Sequence, residues 1–164
     1  MCLPISCMHC ENPPCLAVCP TTATRRRHDG IVDIAYELCI GCGYCIMACP
    51  YIARSIVFEN EYAIEMRALI GESSTEEPGR DRVGVCTKCN FCYPRIDLGL
   101  TKGLIPGMDP SATPMCVNTC AAHALHFGDL DDLDSEVAGL IRENRTVRLQ
   151  EVLGTNPSVY YIVE

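Results

Sequence analysis

The spacing of its cysteines constrains this chain more than any other feature. The 164 residues include 14 cysteines, and all but Cys2 fall into three groups. The first is Cys7, Cys10, Cys15 and Cys19, closed by Pro20, and the second is Cys39, Cys42, Cys45 and Cys49, closed by Pro50. The third is looser: Cys86, Cys89 and Cys92, then residues 93–115, then Cys116 and Cys120. With no Trp, 3 Phe, 11 Pro and 12 Gly, large apolar anchors are few and irregular backbone is plentiful. Such a scaffold needs staples bonded to sulfur, either disulfides or metal.

Compartment and spacing decide between them. The N-terminal Met1-Cys2-Leu3-Pro4 shows no basic region followed by an apolar segment, so no secretory signal is visible and disulfides fit poorly. The spacing of the second group matches the bacterial ferredoxin run, in which three thiolates hold one [4Fe-4S] cubane and a fourth, before proline, reaches another. A tight loop wraps its thiolates around three corners of a cubane, and the fourth ligand must come from elsewhere. Two neighbouring motifs solve this reciprocally. One cluster is therefore assigned to Cys7, Cys10, Cys15 and Cys49, and a second to Cys39, Cys42, Cys45 and Cys19. Paired C-x2-C units also build zinc sites, but zinc does not require a third cysteine two residues on, or the same grammar twice.

The expected fold class is α+β: a ferredoxin-like two-cluster domain of short helices and β-hairpins over residues 1–60, with each helix near the third cysteine of its motif. Residues 24–34, two extended runs around Asp29-Gly30, read as a hairpin. A helix at 62–70 and an acidic linker fill 61–80. A third-cluster unit occupies 81–128, its Pro- and Gly-rich insertion at 93–115 read as an ordered loop, followed by a short helix at 121–124 and a strand end at 126–128. Residues 129–164 supply a helix at 135–143, capped by Asp134, and an extended docking tail. The longest uncharged stretch, 38–53, is broken by Gly41, Gly43 and Pro50 and does not suit a membrane span. The net charge of -8 argues against nucleic acid, and Arg25-Arg26-Arg27 reads as a solvated strand.

Several stretches resemble the iron-sulfur subunits of molybdenum or tungsten pterin oxidoreductases, such as dimethyl sulfoxide, polysulfide and thiosulfate reductases and phenylacetyl-CoA oxidoreductase. They are Cys7-Met8-His9-Cys10-Glu11-Asn12-Pro13-Pro14-Cys15, Cys49-Pro50-Tyr51, Lys88-Cys89-Asn90-Phe91-Cys92, Phe127-Gly128-Asp129-Leu130 and Leu153-Gly154-Thr155-Asn156-Pro157. The resemblance implies a non-catalytic electron conduit from anaerobic metabolism. It would relay electrons between a pterin-bearing catalytic subunit and a quinone-reactive membrane subunit, a flavoprotein or a soluble carrier. It also implies a four-motif plan, from which the first motif is missing here. A third cluster would then take Cys89, Cys92 and Cys116, with Cys86, or alternatively Cys120, as its fourth ligand. The chain is expected to fold and receive its clusters in the cytoplasm, with export possible only bound to a signal-bearing partner. Competing readings are a stand-alone polyferredoxin, a zinc-stapled interaction module and a sensor with a labile third cluster.

Smaller expectations concern single residues. His9 either tunes a cluster through a hydrogen bond to sulfur or simply packs. Tyr44 and Tyr51 shield a cluster from water, His123 and His126 are packing or surface residues, and Cys2 is a free thiol. No phosphate loop, catalytic triad or paired-carboxylate site is present in a credible setting.

Overall fold

In the computed structural model, residues 3–58 and 83–163 are described. The expected helix at 62–70 and its linker lie outside them. The chain divides into two compact units, Met1–Cys89 and Asn90–Glu164.

In the first unit, helix α1 spans Pro14–Ala17 and α2 spans Tyr44–Met47. Each is a single turn, too short to be stable alone. Their cysteines Cys15 and Cys45 are buried, and pack with Val32, Ile34 and Cys86 in the core of the unit. Between them, strands β1 (Thr24–Arg26) and β2 (Val32–Ile34) form the predicted antiparallel hairpin, pairing Thr24 with Ile34 and Arg26 with Val32. Gly30 turns the chain at φ +82°, a conformation that glycine adopts without steric cost. Of the three arginines, Arg25 pairs with Asp33 and Arg27 with Asp29. Strand β3 (Ser55–Ile56) pairs with the sequence-distant β4 (Cys86–Thr87). That pairing draws residues 83–89 into the first unit, where the sequence predicted the start of the second.

The second unit differs from expectation in five places. Residues 93–101 form helix α3 (Tyr93–Thr101) rather than a loop, because Pro94 stands in its first turn, where a missing N–H costs nothing. The helix is pinned by Arg95, which donates to the carbonyls of Thr113 and Pro110, and by Gly99, whose absent Cβ would lie 2.3 Å from that of Ala112. Residues 121–122 form a turn and 123–124 no helix, and 126–128 pair in no strand among the described residues. After the one-turn helix α4 (Met115–Asn118), helix α5 (Glu136–Glu143) is capped by Ser135 rather than Asp134: the Ser135 hydroxyl accepts from the Ala138 N–H. The tail folds back, with β5 (Thr146–Val147) pairing with β6 (Tyr161–Ile162) around a 3-10 turn at Glu151–Leu153. Among the described residues no helix is long and apolar enough to cross a membrane.

Gly107 fixes one close approach in this unit. At φ +94°, a Cβ there would stand 1.9 Å from the carbonyl oxygen of Phe127. Gly107→Ala is expected to destabilise the unit by about 2 kcal/mol or more, through left-handed strain and overpacking. Urea unfolding followed by tyrosine fluorescence should show an earlier midpoint; an unchanged midpoint would refute the reading.

Candidate metal centres

Each cysteine group is built on the same backbone plan. Within each C-x2-C pair the residue before the second cysteine takes a left-handed conformation: His9 at φ 43°, Gly41 at 66° and Phe91 at 53°. A one-turn helix then carries a cysteine at its second position: Cys15 in α1, Cys45 in α2 and Cys116 in α4. The closing cysteine donates its N–H back into that helix, Cys19 to Leu16, Cys49 to Ile46 and Cys120 to Val117, each at 3.2 Å. Three residues later Thr22, Ile52 and His123 are again left-handed, at φ 55°, 52° and 48°. His123 thus has a place in the backbone plan, and Ala121 fills the position of Pro20 and Pro50 without disturbing it. His126 pairs with Glu136 at 2.9 Å.

In the first unit the modules interleave. Cys7, Cys10, Cys15 and Cys49 line one cavity, with Tyr51 and Arg54 on its wall. Cys19, Cys39, Cys42 and Cys45 line another, together with Cys86. In both cases the closing cysteine of one module joins the first three of the other. Tyr51 is buried at its cavity, whereas Tyr44 is 62% exposed and so is no shield among the described residues.

Some of the sulfurs have the surroundings of thiolates. Backbone N–H groups of Thr24 and Cys86 donate to Cys19 Sγ and Cys39 Sγ, both at 3.4 Å, and Ala124 N–H donates to Cys120 Sγ at 3.3 Å. Burial works to raise the Cys19 pKa, but hydrogen bonds from Thr24 and Thr21 bring it below the ordinary thiol value. Hydrogen bonds from the backbone of Ala124 and its neighbours do the same for Cys120. Burial pushes Cys15 up, against the pull of Arg54. An all-sulfur donor set suits soft iron-sulfur or zinc chemistry. Thiols spread around a cavity fit a cubane, which takes one at each corner.

Three features escaped the sequence analysis. Cys86, expected at the third site, instead lies on β4 at the second cavity, 1% exposed, with its Sγ 3.5 Å from Cys45 Sγ. Burial and that contact push its thiol up to about 12. Arg54 is buried, and donates through Nη2 to Cys15 Sγ and through Nη1 to Thr24 Oγ1, both at 3.1 Å. Lys88 reaches inward to the carbonyls of Val32 and Cys89; burial lowers its pKa. His9 accepts the Val32 N–H at Nδ1, 3.0 Å, which ties the first module to β2. Burial and the Lys88 charge push it down to about 2, so it stays neutral.

Comparison with known proteins follows the same lines. Residues 1–83 match the model of a 4Fe-4S dicluster domain. The chain is 41% identical to a subunit of the selenate reductase of Mesobacillus selenatarsenatis, covering 97% of this chain and 54% of the relative. It is 43% identical to an iron-sulfur subunit of the Hdr-like menaquinol oxidoreductase of Archaeoglobus fulgidus (97% and 56%). The iron-sulfur cluster-binding subunit of the menaquinone reductase of Nitratidesulfovibrio vulgaris is 36% identical (98% and 64%). The chain thus spans little more than half the length of the first two relatives and under two thirds of the third.

Lys88 offers a direct test of how the first unit is held together. Lys88→Met removes the donor shared by the Val32 and Cys89 carbonyls, and should cost about 1–3 kcal/mol of stability. Thermal melting of the two proteins side by side measures the loss; equal melting temperatures would contradict it.

Proposed function

We propose, since the chain belongs to the 4Fe-4S dicluster domain family, that it is a non-catalytic electron conduit whose cysteines hold a line of [4Fe-4S] clusters. The first cluster takes Cys7, Cys10, Cys15 and Cys49, and the second takes Cys39, Cys42, Cys45 and Cys19. The observation that carries this reading is the exchange of closing cysteines between two cavities, one walled by four thiols and the other by four with Cys86 as a fifth. Electrons enter and leave the clusters singly, and the chain sets their potentials through hydrogen bonds, burial and nearby charge.

A third cluster is assigned to Cys89, Cys92 and Cys116, because their backbone repeats the plan of the first two groups. Cys120 is the fourth thiolate that the chain offers it. Cys86 is withdrawn from this role, since its sulfur rests against Cys45.

The relatives named above as subunits of reductases and of a menaquinol oxidoreductase support a place in a larger complex. The partner we propose upstream or downstream is a molybdenum or tungsten pterin catalytic subunit. The other end of the relay would be a quinone-reactive membrane subunit, a flavoprotein or a soluble carrier. Cluster insertion in the cytoplasm is part of the same proposal.

Iron counting tests the assignment. The anaerobically purified chain should be brown and carry about 12 iron, four for each of three clusters. Cys10→Ala and Cys42→Ala should each lose about four iron, as should Cys120→Ala, while Cys86→Ala keeps the full complement. Colourless protein with stoichiometric zinc would overturn the proposal.

A further inference from the structure

Arg54 stands where neither cluster ligation nor folding alone demands a charge. It follows the second module by five residues and precedes β3, and only 5% of its surface is exposed. Buried arginines are ordinarily paired with a carboxylate, because an isolated ion is costly to desolvate. Here the negative partners are sulfurs. Nη2 donates to Cys15 Sγ at 3.1 Å, on the wall of the first cavity. Toward the second cavity it acts through Thr24, which lines that cavity and whose backbone N–H donates to Cys19 Sγ at 3.4 Å. Its remaining direction is fixed by Thr24 Oγ1, 3.1 Å from Nη1.

We infer that Arg54 is a shared counter-charge of the two clusters, raising the reduction potential of both and reducing the penalty for their being reduced together. The inference rests on the ligand assignment proposed above. A cubane on four thiolates is already an anion, and its reduction adds one electron and one further negative charge. No proton has to be bound if a fixed cation already faces the ligands. A guanidinium suits this task, because it never loses its proton and its planar fork donates in several directions at once. The neighbouring cation, Lys88, donates to two backbone carbonyls, whereas Arg54 donates to a ligand sulfur directly.

The test is a redox titration of the full chain followed by electron paramagnetic resonance, with iron counted in parallel. Arg54→Gln should retain full iron and lower both midpoint potentials by at least a tenfold change in the reduction equilibrium, about 59 mV for a one-electron couple. Arg54→Lys should recover most of that shift, and Arg26→Gln, which removes an exposed charge from β1, should shift neither. Full iron with both potentials unmoved in Arg54→Gln would overturn the inference. If Arg54→Gln fails to load iron, the wild-type chain labelled with 15N-arginine decides. Its reduced clusters should show a guanidinium 15N hyperfine coupling that vanishes in Arg54→Lys, and absence of that coupling in the wild type sinks the inference. Failure of the ligand assignment has a different signature: Cys10→Ala and Cys42→Ala would then keep all their iron, and the inference would fall with it.

Discussion

Four sulfurs must surround one inorganic centre, and a short loop cannot turn sharply enough to supply all four. Most of the first unit follows from that constraint. The left-handed residues at His9 and Gly41 fold each C-x2-C pair back on itself, and a one-turn helix brings up the third cysteine. The closing cysteine is then carried past its own cavity to the other one. Neither helix could exist alone at four residues. They persist because Cys15 and Cys45 are packed with Val32 and Ile34 of the hairpin, so that the sulfur sites and the apolar core are the same object. A protein without tryptophan and with 3 phenylalanines has little else from which to make one.

Much of this was legible in the sequence, for a physical reason. Ligand spacing is a local property: C-x2-C, a cysteine-bearing turn and a closing cysteine are set by the few residues between them. The hairpin at 24–34 was legible likewise, because Asp29-Gly30 encodes its own turn. The same locality explains the misplacement of Cys86. Its spacing from Cys89 completes a C-x2-C-x2-C run on paper, but β4 is held by β3 across a long separation in the chain, and strand pairing turns its sulfur to Cys45. A pairing partner so distant leaves no mark in the spacing. In the second unit, the prolines and glycines of 93–115 carry the sequence pattern of breakers. Pro94 lies in the helix's first turn, and Gly99 is where the helix touches Ala112; both are helix-compatible at those positions alone.

The third group is instructive because its local grammar survives where its sequence signature does not. Ala121 replaces the proline that follows Cys19 and Cys49, yet Cys120 keeps the same N–H bond into its helix and His123 the same left-handed turn. The proline is therefore not what closes the module. The backbone bond from the closing cysteine to the residue three before it is sufficient, with proline serving to narrow the unfolded chain's options. Two of the three left-handed residues after the closing cysteines, Thr22 and Ile52, are β-branched, and a β-branched residue adopts that conformation only under constraint. The strain there is held by the module as a whole.

Charge is arranged to the same end. The chain carries a net charge of -8, which by itself would oppose placing further electrons in its interior. Yet in the first unit Arg54 is buried against a ligand sulfur and Lys88 is half-buried against backbone carbonyl oxygens, while the acidic run 129–134 is exposed. Field strength follows burial rather than net count, because water screens the surface acids and not the interior cations. One buried guanidinium 3.1 Å from a ligand sulfur therefore outweighs several exposed carboxylates in setting what an electron entering the first unit experiences. The acidic exterior remains free to govern solubility and the approach of partners.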